Sequence, residues 1–153
     1  MPSALIVFDS WYGNTRLVAE EIARGISSTG RVTTTVTSVQ ELNPPRMRQY
    51  DIIVIGSPNH QGAATHSVRR LLHELALERL DSKTISLFDT CSRRQSAPVT
   101  IKMRRALTHD DPSLHLASPG ISVVVDGMQG PIHEGEVSKC REFGARLAGM
   151  ALA

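Results

Sequence analysis

Val7-Phe8-Asp9-Ser10-Trp11-Tyr12-Gly13-Asn14-Thr15 begins at the end of an apolar run over residues 4–8 and closes on a polar turn. The run is rich in branched side chains and is predicted to be a buried strand. After the turn, Val18, Ala19, Ile22, Ala23 and Ile26 recur at the spacing of one helical face, and Gly30 closes that helix. The turn therefore precedes a helix N-terminus, where unpaired backbone N–H groups and the positive end of the dipole face outward. Gly13 lets the backbone turn closely around an anion, while Ser10, Asn14 and Thr15 supply neutral donors. No Lys or Arg lies between Ser10 and Thr15, so dipoles rather than opposite charge would hold a phosphate monoester. The same residues could also form a simple Gly-Asn turn with Asn14 or Thr15 capping the helix. Their position directly after the first strand favours the phosphate. Neither Gly-x4-Gly-Lys-Ser/Thr nor Gly-x-Gly-x-x-Gly is present here, which disfavours a nucleotide triphosphatase or a Rossmann dehydrogenase.

Outward from this turn, strands and helices alternate. Residues 32–39 alternate Val with Thr, which predicts a strand with one wetter face at a sheet edge. Pro44-Pro45 keeps any helix within 41–49 short. Residues 52–55 are continuously apolar, as in a strand covered on both faces, and Ser57-Pro58-Asn59 breaks it. Val68, Leu71, Leu72 and Leu75 mark an amphipathic helix. Residues 84–88 form a fourth strand. Pro98 is expected in the first turn of a helix whose buried stripe is Val99, Met103 and Leu107. Residues 121–125 form a fifth strand, and a last helix from about Glu134 is expected to bury Val137, Cys140, Gly144, Leu147 and Ala151. The alternation predicts an α/β domain, one unit over 1–153, with a parallel sheet covered on both faces. Ligands of such sheets bind beyond the carboxyl ends of the strands, which singles out residues 9–15, 56–62, 90–97 and 126–131.

The composition narrows the function. The chain has 153 residues, 41% hydrophobic and 21% charged, which argues against disorder. A formal net charge of +2 announces no nucleic-acid or membrane partner. Two cysteines imply no disulfide framework, and the six histidines show no metal-ligand spacing. No apolar run is long enough to cross a bilayer, and the N-terminus reads as a strand without a basic leader, so a cytoplasmic protein is expected.

Residues 7–15 and the helix after them resemble the phosphate loop of the flavodoxin family. They are especially similar to the variant in flavodoxin domains of flavodiiron proteins and their short relatives, where Tyr often precedes the glycine. Residues 50–58 look like the family's third strand and first flavin-contacting loop. Phe88-Asp89-Thr90 resembles its fourth-strand ending, and residues 130–136 resemble the lead into its last helix. The resemblance spans essentially the whole chain. It implies a flavodoxin-like three-layer sandwich with a five-stranded parallel sheet in the order 2-1-3-4-5. It also implies non-covalent flavin mononucleotide (FMN). Ser10, Trp11, Tyr12, Gly13, Asn14 and Thr15 would wrap the phosphate. Ser57, Pro58, Asn59, His60 and Gly62 would line the ribityl chain and one side of the isoalloxazine, and Thr90, Cys91, Ser92 and Arg93 would approach the ring from the other loop. The implied role is electron transport between a redox partner, such as an NAD(P)H-dependent reductase, and an acceptor, by a monomer or weak homodimer, with no catalytic residue required.

One departure stands out. Flavodoxins commonly sandwich the flavin between aromatic side chains, yet residues 57–62 and 90–97 contain no Phe, Tyr or Trp. His60 would stack in place of one ring, and Arg93 or Arg94 would lie on the other face. Those arginines would also favour the reduced, anionic ring and raise its potential. Cys91 reads as a small polar loop residue. Two alternatives stay open: a small FMN-dependent oxidoreductase of the quinone type, and a flavodoxin fold that has lost FMN and serves as a binding or regulatory module.

Overall fold

The β1 strand, Ser3–Phe8, is an interior strand of a five-stranded parallel sheet. The computed structural model describes residues 1–80, 82–92, 97–114 and 116–153. Along the chain follow α1 (Asn14–Ser27), β2 (Thr33–Ser38), a short 3-10 helix (Pro44–Gln49), β3 (Ile52–Pro58) and α2 (His66–Leu77). Then come β4 (Thr84–Ser92), α3 (Thr100–Asp110), β5 (Ile121–Val125) and α4 (Glu136–Leu152). The sheet order is β2-β1-β3-β4-β5, so both helical layers and the expected topology are present. Continuous burial of β1 and β3 follows from their central places, while the Thr-rich β2 takes an edge.

The two faces have separate cores. On one, Ile6, Ile52, Val54 and Phe88 of the sheet pack against Val18, Ile22 and Ile26 of α1 and Phe143 and Leu147 of α4. On the other, Leu5, Ile53, Ile55 and Leu87 meet Leu71 and Leu75 of α2 and Met103 and Leu107 of α3. The α1–α4 contact is close because two glycines make it so. A Cβ on Gly25 would lie 2.0 Å from the Arg141 carbonyl oxygen, and one on Gly144 would lie 2.2 Å from that of Ile22. Glu21, buried in the same seam, accepts from Arg24 at 2.7 Å and from Arg141 Nε at 2.6 Å.

Several sequence expectations need correction. The fourth strand continues past Phe88 to Ser92, because β3 on one side and β5 on the other both extend its ladder. Thr90, Cys91 and Ser92 are thus strand residues rather than loop residues. Pro98 lies ahead of α3, whose N-cap is Val99. The last helix starts at Glu136 behind a left-handed Gly135, and Val137 is 37% exposed. Phe143 and Ala148 belong to the buried stripe in its place. Neither Asn14 nor Thr15 caps α1. That position falls to Gly13 at φ 89°, and no side chain completes the cap.

Candidate functional site

The carboxyl ends of β1, β3 and β4 converge at one end of the sheet. From β1 the chain passes through Asp9, buried and accepting from Gln40 Nε2 at 3.2 Å, into the turn before α1. Ser10 Oγ accepts from the Gly13 N–H at 3.0 Å, which folds the turn back on itself. Gly13 is left-handed, and no atom comes within 4 Å of where its Cβ would stand, so the concave side is open. With the first intrahelical bond running from Leu17 N–H to the Gly13 carbonyl, the N–H groups of Asn14, Thr15 and Arg16 have no helical acceptor. Thr15 is buried, and its Oγ1 lies 3.0 Å from Thr90 Oγ1, joining this turn to β4. Trp11 and Tyr12 are 54% and 49% exposed. Tyr12 Oη donates to Met128 Sδ at 3.5 Å, and the Asn14 amide packs against Gly130, so the segment after β5 borders the turn.

From β3, Ser57 is fully buried and accepts from the Thr65 N–H at 3.0 Å while donating to the Pro58 carbonyl. It therefore supports the loop from beneath and presents no group at the surface. Asn59 is the brace of that loop. Its N–H donates to the Thr90 carbonyl, its Nδ2 to the Ala97 carbonyl at 3.1 Å, and its Oδ1 accepts from the Gly62 N–H at 2.8 Å. Beyond it, His60 and Ala63 exchange two backbone hydrogen bonds around Gln61 (φ 52°) and Gly62 (φ 85°). Two successive positive φ values are the signature of a tight hairpin turn. The turn holds His60 against Trp11, ring centroids 4.2 Å apart and planes tilted by 56°. Lys102 Nζ, from α3, donates to the Gly62 carbonyl at 2.5 Å and clasps the turn from the far side.

Below β4's end lies a buried polar knot that sequence reading missed. Asp89 accepts from Ser122 Oγ and, at 2.5 Å, from the Val99 N–H that leads into α3. Burial raises the Asp89 carboxyl above its ordinary value, against the lowering effect of those bonds. Cys91 Sγ sits 3.2 Å from the same Ser122 hydroxyl, and burial pushes its thiol up as well. Phe88-Asp89-Thr90 reads as a strand ending in the sequence, yet Ser122 carries no signal there, because only strand pairing brings it opposite Asp89.

The structure thus brings Ser10, Trp11, Tyr12, Gly13, Asn14, Thr15, Ser57, Pro58, Asn59, His60, Gly62, Thr90, Cys91 and Ser92 to one end of the sheet. Arg93 and Arg94 lie outside the described residues. Among the described residues, no group of His, Cys, Asp and Glu side chains is placed to hold a metal ion. Nor is any helix among the described residues long and apolar enough to cross a membrane.

A family model of the flavodoxin domain, Flavodoxin_3, matches residues 5–109. The chain belongs to the flavodoxin family. This flavodoxin fold is similar to a flavodoxin from the domain Archaea, with a TM-score of 0.83 and 19% identity over 99% of both chains. It is also similar to oxidised flavodoxin 1 from Bacillus cereus, with a TM-score of 0.80 and 21% identity over 96% of this chain and 97% of that one. The flavodiiron protein from Giardia intestinalis gives 0.81 and 18% over 98% of this chain, which spans about a third (36%) of that longer protein. Flavodoxins in general bind FMN and transfer electrons to redox partners.

Proposed function

We propose that this flavodoxin binds FMN and carries electrons between an NAD(P)H-dependent reductase and a redox acceptor, as one domain over 1–153. The supporting observation is the turn before α1: an open, left-handed Gly13 ringed by unpaired helix N–H groups and free of carboxylates from Ser10 to Thr15. That donor set fits a phosphate dianion held by dipoles. Ser10, Trp11, Tyr12, Gly13, Asn14 and Thr15 hold the phosphate. Asn59, His60 and Gly62 line the ribityl chain and one side of the ring, with Pro58 and the buried Ser57 supporting them. Thr90, Cys91, Ser92 and Arg93 serve the other side.

When bound, FMN supplies the one- and two-electron chemistry. This chain's own residues bind, orient and shield. The α1 N–H groups compensate phosphate charge. The Asn59 brace fixes the distance between the second and third segments. Trp11 and His60, already in ring contact, offer apolar surface at the mouth.

The test is flavin content in protein purified natively. A yellow preparation whose visible bands bleach with dithionite supports the reading, and a colourless one that also fails to take up added FMN refutes it. Steady oxidation of NAD(P)H by quinones without an added reductase would instead mark a self-sufficient oxidoreductase.

A further inference from the structure

The cations of this molecule are unevenly satisfied. On the α1–α4 face, Arg16, Arg24, Lys139 and Arg141 each have a carboxylate within 4 Å, and Arg146 alone among the described cations of those two helices has none. On the opposite face, Arg69 and Arg70 of α2 and Lys102, Arg104 and Arg105 of α3 have none among the described residues. Those two helices carry five Lys and Arg against Glu74 and Asp110, formally +3, where the whole chain is only +2. All five cations are exposed.

Their arrangement follows from the helix packing. His73 Nδ1 and Asp110 Oδ2 meet at 2.9 Å across the α2–α3 seam, so the two helices run side by side. Arg69 and Arg70 stand one turn before His73, and Arg105 stands a little over one turn before Asp110, around the small exposed Ala106. The cations Arg69, Arg70, Lys102 and Arg105 therefore occupy the halves of the helices nearest the candidate site, while Arg104, in the same half of α3, borders the hollow beside Leu114 and Pro119. The connection to that site is physical. Lys102 grips the Gly62 carbonyl, the same turn presents His60, and His60 touches the exposed Trp11. Basic face and aromatic mouth form one continuous surface. Arg and Trp are residue types that dominate protein interfaces.

We infer that the α2–α3 face, through Arg69, Arg70, Lys102 and Arg105 together with Trp11, is the docking surface for a small acidic electron-carrier protein. Like charges on one face repel one another, and an acidic partner supplies the counter-charge that the fold itself provides for most cations of its other face. The same field draws such a partner toward the mouth and fixes its orientation there. Isolated phosphates or a nucleic acid would also meet positive charge here. The folded, negatively charged partner is favoured because the patch ends on exposed aromatic surface rather than on a groove lined with stacking rings. This inference rests on the electron-carrier reading for the nature of the partner.

The experiment uses an acidic plant-type ferredoxin as the probe, labelled for fluorescence anisotropy and titrated with the full chain, while flavin content is recorded separately by absorbance. Expected are binding that weakens at least tenfold between 50 and 300 mM salt and a further loss of at least tenfold in Arg69→Glu/Arg70→Glu/Arg105→Glu. The charge-matched control Arg31→Glu/Arg46→Glu/Arg146→Glu, on exposed cations elsewhere, should stay within threefold of the parent. Equal losses in the two triple variants would reduce the effect to net charge and overturn the proposal. So would no loss in either, no binding of the ferredoxin, or tighter binding of a single-stranded DNA oligonucleotide at the same salt. Ferredoxin binding that maps to the face in a protein that takes up no FMN would sustain the docking surface and refute the electron-carrier reading.

Discussion

Thr15 of α1 and Thr90 of β4 bring their hydroxyls to 3.0 Å, so the turn before the first helix and the end of the fourth strand are tied at one buried point. Thr15 thus sits between the proposed phosphate cradle and the segment proposed to lie along the ring. The Asn14 amide, packed on Gly130, ties the same turn to the segment after β5.

Thr15→Ala and Asn14→Ala should weaken FMN far more than riboflavin, since both side chains are assigned to the phosphate. A charge-assisted hydrogen bond is worth about 1.5–3 kcal/mol, which corresponds to roughly ten- to a hundredfold in affinity. Fluorescence titration with the two flavins measures the split. Equal losses would remove these residues from the phosphate site.

Trp11 is the single tryptophan, and its ring already contacts His60. Added FMN should therefore quench nearly all indole emission. His60→Tyr restores an aromatic ring at the position where the third strand's loop meets Trp11, and should tighten FMN and riboflavin alike by about 1 kcal/mol, roughly fivefold. An unchanged affinity for both would place the Trp11–His60 pair away from the ring.

The α1–α4 seam offers a sharper contrast. Gly25→Ala and Gly144→Ala each drive a methyl into a carbonyl oxygen of the facing helix and should cost about 1–3 kcal/mol or more in urea unfolding. Gly149→Ala, in the same α4 with nothing within 4 Å of the new methyl, should stabilise by about 0.5–1 kcal/mol. A matching sign at Gly144 and Gly149 would contradict the close approach.

Cys140 gives the pH dependence a definite direction. It is buried in the seam, and desolvation pushes its thiol up to about 12 from an ordinary 9.0. The folded chain keeps this proton after the unfolded chain has released it. Its stabilising contribution is therefore complete below pH 9 and declines as the pH rises toward 12. By pH 11 the decline reaches about 2–3 kcal/mol. Cys140→Ala should unfold less steeply with rising pH than the parent, as chemical denaturation at pH 8, 10 and 11 would record. Parallel slopes would mean that the thiol ionises freely in the folded protein.

Much of the fold was legible because each apolar run carries its own period. Residues 52–55 read as a doubly covered strand, and Val68, Leu71, Leu72 and Leu75 as one helical stripe; both are so in the structure. Illegible features were those created between elements. Local pattern stops the fourth strand at Phe88, but its neighbours on both sides carry it to Ser92. Val137 fits a helical stripe, yet the α4 stripe is set by contact with α1, which selects Phe143 and leaves Val137 outward. At the candidate site, the residues around Gly13 were legible from strand–turn–helix order alone. The Thr15–Thr90 tie, the Trp11–His60 contact and the Lys102 clasp join residues far apart in sequence and needed the fold.

Glu21 and Arg141 meet across that same seam although 120 positions separate them along the chain. During synthesis at about 5–20 residues per second, the apolar stripe of α1 waits on the order of ten seconds for the helix that covers it. Until then Val18, Ile22 and Ile26 have only the sheet, with Phe88 of β4 among its side chains, to lean on. The nascent chain is consequently most vulnerable to capture or cleavage before α4 leaves the ribosome, and the helix that carries the proposed phosphate cradle at its head is fully covered only once α4 has docked.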